Sequence, residues 1–72
     1  MSKAQLTFVF FILYQLSEAW KIPVPQVFSR LVRTGVLDDY VIPHYDTLHT
    51  LGQEYLVEDI SDFVKEREAA GR

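Results

Sequence analysis

Cysteine is absent from the 72 residues. A disulfide framework, a zinc finger and a thiol nucleophile are therefore excluded. Glycine and proline occur three times each, and no Gly-rich phosphate loop exists. Cations are outnumbered, with seven Lys and Arg against ten Asp and Glu and a net charge of −3. Phosphate binding needs clustered Lys and Arg, so nucleic acid is disfavoured as a direct partner. Long apolar runs are also missing. Phe8 to Tyr14 is a seven-residue run behind Lys3, whereas a membrane span needs about 20 apolar residues. That run resembles a signal-peptide core only in part, because a second cation and a small-x-small cleavage site are lacking. The expectation is a cytoplasmic chain with no membrane segment.

What is present is a 49% apolar, 14% aromatic chain, too apolar for disorder. The length predicts one domain over residues 1–72. The fold class is all-α, a compact bundle of three or four short helices. A domain of about 60 residues buries only roughly 60% of the surface its unfolded chain exposes. With no disulfide available, such a chain gains stability from close helix packing or from association.

Helical spacing divides the sequence. The first helix is expected from Lys3 to Lys21, with Ser2 and Gln5 spaced as a capping box. Leu6, Val9, Phe10, Leu13, Leu16 and Trp20 recur on one face. The second helix is expected from Pro25, which suits an opening position, to Thr34, with Gly35 behind it. Its apolar face would be Val24, Val27, Phe28, Leu31 and Val32. Val36 and Leu37 would re-enter the core. Asp38 would open a short turn through Ile42. A helix from Pro43 to Leu51 would follow, with Tyr45, Leu48 and Leu51 inward; the alternative is one helix from Asp39 kinked at Pro43. The last helix spans Glu54 to Ala69, with Leu56, Val57, Ile60, Phe63 and Val64 inward, and Gly71 and Arg72 fray.

Four features bear on function. The first helix has a second apolar side, formed by Ala4, Phe8, Phe11, Ile12 and Ala19. A helix apolar all round is either central or covered by a partner. In the partner reading Phe8, Phe11, Ile12 and Ala19 form a protein interface. Second, seven acidic residues and no Lys or Arg lie between Asp38 and Asp62: Asp38, Asp39, Asp46, Glu54, Glu58, Asp59 and Asp62. They form a solvated face or an acidic surface that steers a basic partner. Third, His44, Asp46 and His49 lie within six residues. Histidines five apart on a helix diverge, so a zinc ion would lack its three or four convergent ligands, and for acid–base chemistry Asp46 and His49, three apart, give at most a hydrogen-bonded pair. Fourth, of the basic trio Lys21, Arg30 and Arg33, the two arginines would contact DNA phosphate if the second helix were a recognition helix.

Tyr45, Asp46, Leu48-His49-Thr50, Gly52, Tyr55 and Glu58-Asp59-Ile60 form a further pattern. It resembles that of a family of short helical bacterial proteins catalogued as a domain of unknown function. Val27-Phe28 and Gly35-Val36-Leu37 are similar as well, and the resemblance spans about Val24 to Val64. Pro43 departs from the family's uninterrupted helix. Members are often encoded beside proteins similar to ADP-ribosyltransferase-fold toxins, which implies an antitoxin-like or accessory subunit. The resemblance also implies that His49 and Thr50 satisfy backbone groups at a turn bracketed by Tyr45 and Tyr55. The expected function is a non-enzymatic protein–protein interaction module, associating with itself or with a cognate protein. No cofactor and no small-molecule substrate are expected. The alternatives are a small DNA-binding regulator and a site at His44, Asp46 and His49.

Overall fold

A computed structural model describes residues 1–71. Ser2 opens the first helix, α1, over Lys3–Trp20. Its hydroxyl accepts from the Gln5 backbone, and the Gln5 side chain accepts from the Ser2 N–H at 2.8 Å. This capping box satisfies two of the free donors at the helix start. Helix α1 ends at Lys21, whose φ of 61° is left-handed. The turn is held by the Ser17 hydroxyl, which donates to the Ile22 carbonyl at 2.6 Å.

Helix α2 runs Val24–Thr34, one residue earlier than expected, with Pro23 as its N-cap. Gly35 ends it at φ 77°, a backbone that favours glycine. Space adds a second constraint, since a Cβ at Gly35 would meet Arg67 Nη1 at 3.1 Å and Asp39 Oδ2 at 3.2 Å.

The next segment differs from both expectations. Leu37–Val41 is a wide π-helical turn, in which the Ile42 N–H donates five residues back to Leu37. Pro43 lies outside any helix, and α3 is only Tyr45–Leu48. The physical reason is Pro43, which has no N–H and whose ring would strike the carbonyl four residues back in a regular helix. Widening the turn before it removes that collision. Helix α4, Gln53–Ala70, is the second long element. Gly71 caps it, and Arg72 lies outside the described residues.

All-α is therefore the fold class, with α1, α2 and α4 packed against one another in pairs. Phe8, Val9, Ile12, Leu13 and Leu16 enter the core from α1, Val27 and Leu31 from α2, and Leu56, Ile60 and Val64 from α4. Val36, Leu37, Val41 and Leu48 close it. Leu51, expected inward, is exposed.

Trp20 ties the three long helices together at one end. Its indole N–H donates to Ser61 Oγ at 2.7 Å, and the Arg30 guanidinium lies 4.6 Å over the ring. Arg30 also donates twice to the Glu68 carboxylate, at 2.7 and 2.9 Å. Such a two-pronged pair fixes orientation as well as charge. At the far end of α2, Arg67 Nη1 donates to the Thr34 carbonyl at 2.9 Å and to Asp39 at 3.2 Å. A cation there is favoured by the negative end of the helix dipole.

Candidate interaction surface

The burial pattern of α1 keeps Val9, Leu13 and Leu16 inside as expected but shifts the edges of the buried side. Phe8 and Ile12, expected at an outer interface, are core residues, with Ile12 only 1% exposed. Leu6 and Phe10, expected inside, are exposed, Phe10 by 61%. The reason is that both sides of α1 are apolar, so its own periodicity does not select the buried one. Neighbours do. Tyr45 stacks edge-on against Phe8 with ring centroids 5.4 Å apart, and Ser61 holds Trp20. Phe11 and Ala19 remain exposed, yet they lie toward α3 and α4. Phe11 borders an open groove of about 780 Å³ shared with Tyr45, His49 and Leu56. Ala19 borders another, shared with Gln53 and Val57.

A different apolar surface results. Leu6, Phe10 and Tyr14 follow one another at four-residue steps along the outside of α1. Val24, Phe28 and Val32 repeat the same step along α2. Four-residue steps form a continuous ridge on a helix. Each ridge lies beside, and not among, the buried residues of its own helix. Expectation put Val24, Phe28 and Val32 inside; only Val27 and Leu31 of α2 are buried. Scattered exposed apolar residues are ordinary, but a row of three large apolar side chains left exposed on each of two packed helices is a candidate contact surface.

The acidic stretch is divided. Asp38, Asp46, Glu54, Glu58 and Asp62 are exposed. Asp39 is instead paired with Arg67, and half-buried Asp59 accepts a short hydrogen bond from the Tyr40 hydroxyl. The surface therefore has internal partners at two of its positions. The basic trio is divided too. Arg30 is engaged by Glu68, which holds its guanidinium above the ordinary value through the hydrogen bond between them. Arg33 approaches Glu68 at 3.8 Å, and Lys21 sits in the α1–α2 turn.

His44 and His49 each point one ring nitrogen back along the chain. His44 Nδ1 lies 3.0 Å from the Tyr40 carbonyl and His49 Nδ1 2.9 Å from that of Tyr45. Both nitrogens must carry the proton to donate there. Among the described residues no three His, Asp or Glu side chains are gathered where they would hold a metal ion. Thr50 Oγ1 donates to the Thr47 carbonyl at 2.8 Å. The corner is thus tied by its own side chains, with the Tyr45 ring stacked on His49 at 4.5 Å.

Residues 7–67 match the family described as protein of unknown function DUF3791. The chain belongs to that family. No curated protein and no solved structure matches it. The matched span covers the buried residues of α1, α2 and α4 and the whole corner around α3. In this DUF3791 domain Tyr55 does not bracket the turn as a partly buried ring, being 56% exposed. No helix among the described residues is long and apolar enough to cross a membrane.

Tyr40 links the wide turn to α4. Its ring meets Phe63 edge-on at 4.7 Å. The hydrogen bond to Asp59, reinforced by burial and by the carboxylate's charge, pushes the phenol up to about 12 from an ordinary 10.0. A raised folded-state value means that this contribution is whole below pH 10 and is lost as pH rises through about 12. Tyr40→Phe is expected to cost about 1 kcal/mol at neutral pH, the worth of a partly solvated charge-assisted bond. The gap between the two chains should close as pH passes the phenol's titration. Thermal unfolding of both proteins across the alkaline range measures this, and a gap that stays constant would contradict it.

Proposed function

We propose that this protein is a protein–protein interaction module whose contact surface is the face built from Leu6, Phe10 and Tyr14 of α1 and Val24, Phe28 and Val32 of α2. The single observation behind the reading is the pair of exposed apolar ridges, one on α1 and one on α2. Leaving Phe10, Tyr14 and Phe28 exposed forgoes part of the roughly 1.5–3 kcal/mol that full burial of such a side chain is worth. A partner recovers it, less the ordering costs of association. An antitoxin-like or accessory subunit, as the family resemblance implies, is one use of such a face.

A photoreactive amino acid at position 10 is expected to give a discrete cross-linked species in cells. The same probe at Asp62, on the exposed side of α4, is expected to give none. Absence of any adduct from position 10 would sink the reading.

A further inference from the structure

We propose that the groove between the first half of α1 and the corner around α3 binds a small aromatic acid, with the ligand's ring against the groove wall and its carboxylate beside Lys3. This site is separate from the exposed ridges on α1 and α2. Its wall is a connected series of rings. Phe11 and Phe8 lie 6.4 Å apart, Phe8 meets Tyr45 edge-on at 5.4 Å, and Tyr45 stacks on His49 at 4.5 Å. All four line one open groove of about 780 Å³. That volume falls in the range of roughly 300–1,000 Å³ occupied by small-molecule sites.

The local sequence explains the space. Ala4 and Thr7, on the same stripe of α1 as Phe8 and Phe11, also line the groove, and neither side chain is long enough to fill it. A wall of four rings favours a planar aromatic body, because ring pairs contribute beyond the area that they bury.

Charge selects the ligand's polar group. Lys3 lines the groove, and among the described residues no Asp or Glu side chain does, although the chain has ten of them. Lys3 has no ion-pair partner among the described residues. The groove beside the second half of α1 has the opposite sign, being lined by Glu18, Glu54 and Glu58. An anion is therefore attracted at one end of α1 and repelled at the other. His49 Nδ1 is engaged by the Tyr45 carbonyl, so Lys3 supplies the fixed charge, and a lone ammonium matches the single charge of a carboxylate.

Titration of the isotope-labelled protein with phenylpropionate, read from backbone amide shifts, tests the site. Saturable shifts are expected at Thr7, Phe8, Phe11, Tyr45 and His49 below about 1 mM ligand, and none in α2. Ala4→Leu is expected to abolish them with unchanged helical circular dichroism, because Ala4 is exposed and leucine is a good helix former. Phe11→Ala is expected to weaken binding about fivefold. Lys3→Glu should weaken it about fivefold as well, whereas binding of the uncharged phenylpropionamide should not respond to that change. Phe10→Ala, outside the groove, should leave binding intact. Absence of saturable shifts in the wild-type protein would overturn the site, as would wild-type binding by both Ala4→Leu and Phe11→Ala. Shifts centred on Leu6, Phe10 and Tyr14 that vanish in Phe10→Ala would overturn it too, since the ligand would then lie on the exposed ridge of α1. Equal sensitivity of acid and amide to Lys3→Glu would overturn the placement of the carboxylate.

Discussion

Ile12→Ala is expected to cost about 2–5 kcal/mol, the usual effect of truncating a fully buried aliphatic side chain. Ile12 is 1% exposed and belongs to the continuous core of α1, α2 and α4. At about 0.05–0.15 kcal/mol per residue, a chain of this length has about 4–11 kcal/mol in all, so that loss is a large share of it. The variant should therefore unfold at low urea, or be partly unfolded without it. Phe10→Ala, two residues away, removes a larger ring and is expected to change stability by about 0.5 kcal/mol or less, since that ring faces out. Urea unfolding of the two variants under conditions that keep them monomeric gives the comparison. The opposite ranking would mean that α1 is turned about its axis from the orientation described. The contrast separates core from contact surface on a helix where both are equally apolar.

Trp20→Ala is expected to cost about 3 kcal/mol, toward the lower end for a large aromatic side chain because the ring is only half-buried. Three interactions disappear together: packing against the core, the bond to Ser61, and the stacking of Arg30. Trp20→Phe separates them. It keeps a ring for Arg30 and loses the indole N–H, at about 1 kcal/mol. Ser61→Ala should match it, and the double variant should cost no more than either single one if the bond is the shared cause. Full additivity in that cycle would mean the indole and Ser61 contribute separately.

Much of the fold was legible because the punctuation is strong. Ser2 with Gln5 marks the start of α1, and Gly35 marks the end of α2. The spacing of Leu56, Ile60 and Val64 defines the buried side of α4. The corner was legible only in part: His49 and Thr50 do bond back to carbonyls, but the helix expected from Pro43 to Leu51 is only Tyr45–Leu48, and Leu51 and Tyr55 are exposed. The edges of the buried side of α1 were not legible. With Leu6 and Phe10 on one flank and Phe8 and Ile12 on the other, periodicity alone is satisfied by either choice. The outcome depends on distant residues such as Tyr45 and Ser61. The ridge on α2 was hidden for a related reason. Its apolar arc is wider than the strip that α1 and α4 cover, and only the assembled bundle shows which edge is left over. Ion pairs across helices, such as Arg30 with Glu68, leave no local signal in a sequence.

The wide turn at Leu37–Val41 has a bearing on ancestry. A five-residue hydrogen bond within helical backbone is the form that one additional residue takes when the flanking turns keep their register. Asp38 and Asp39 are its exposed members, while Leu37 and Val41 stay buried on either side. A relative one residue shorter at this place, and without a proline at the position of Pro43, would retain the same core, with an ordinary helical turn in place of the wide one. Alignments of the family should therefore open their gaps here sooner than within α1 or α4, where a lost residue would swing every later side chain to another face.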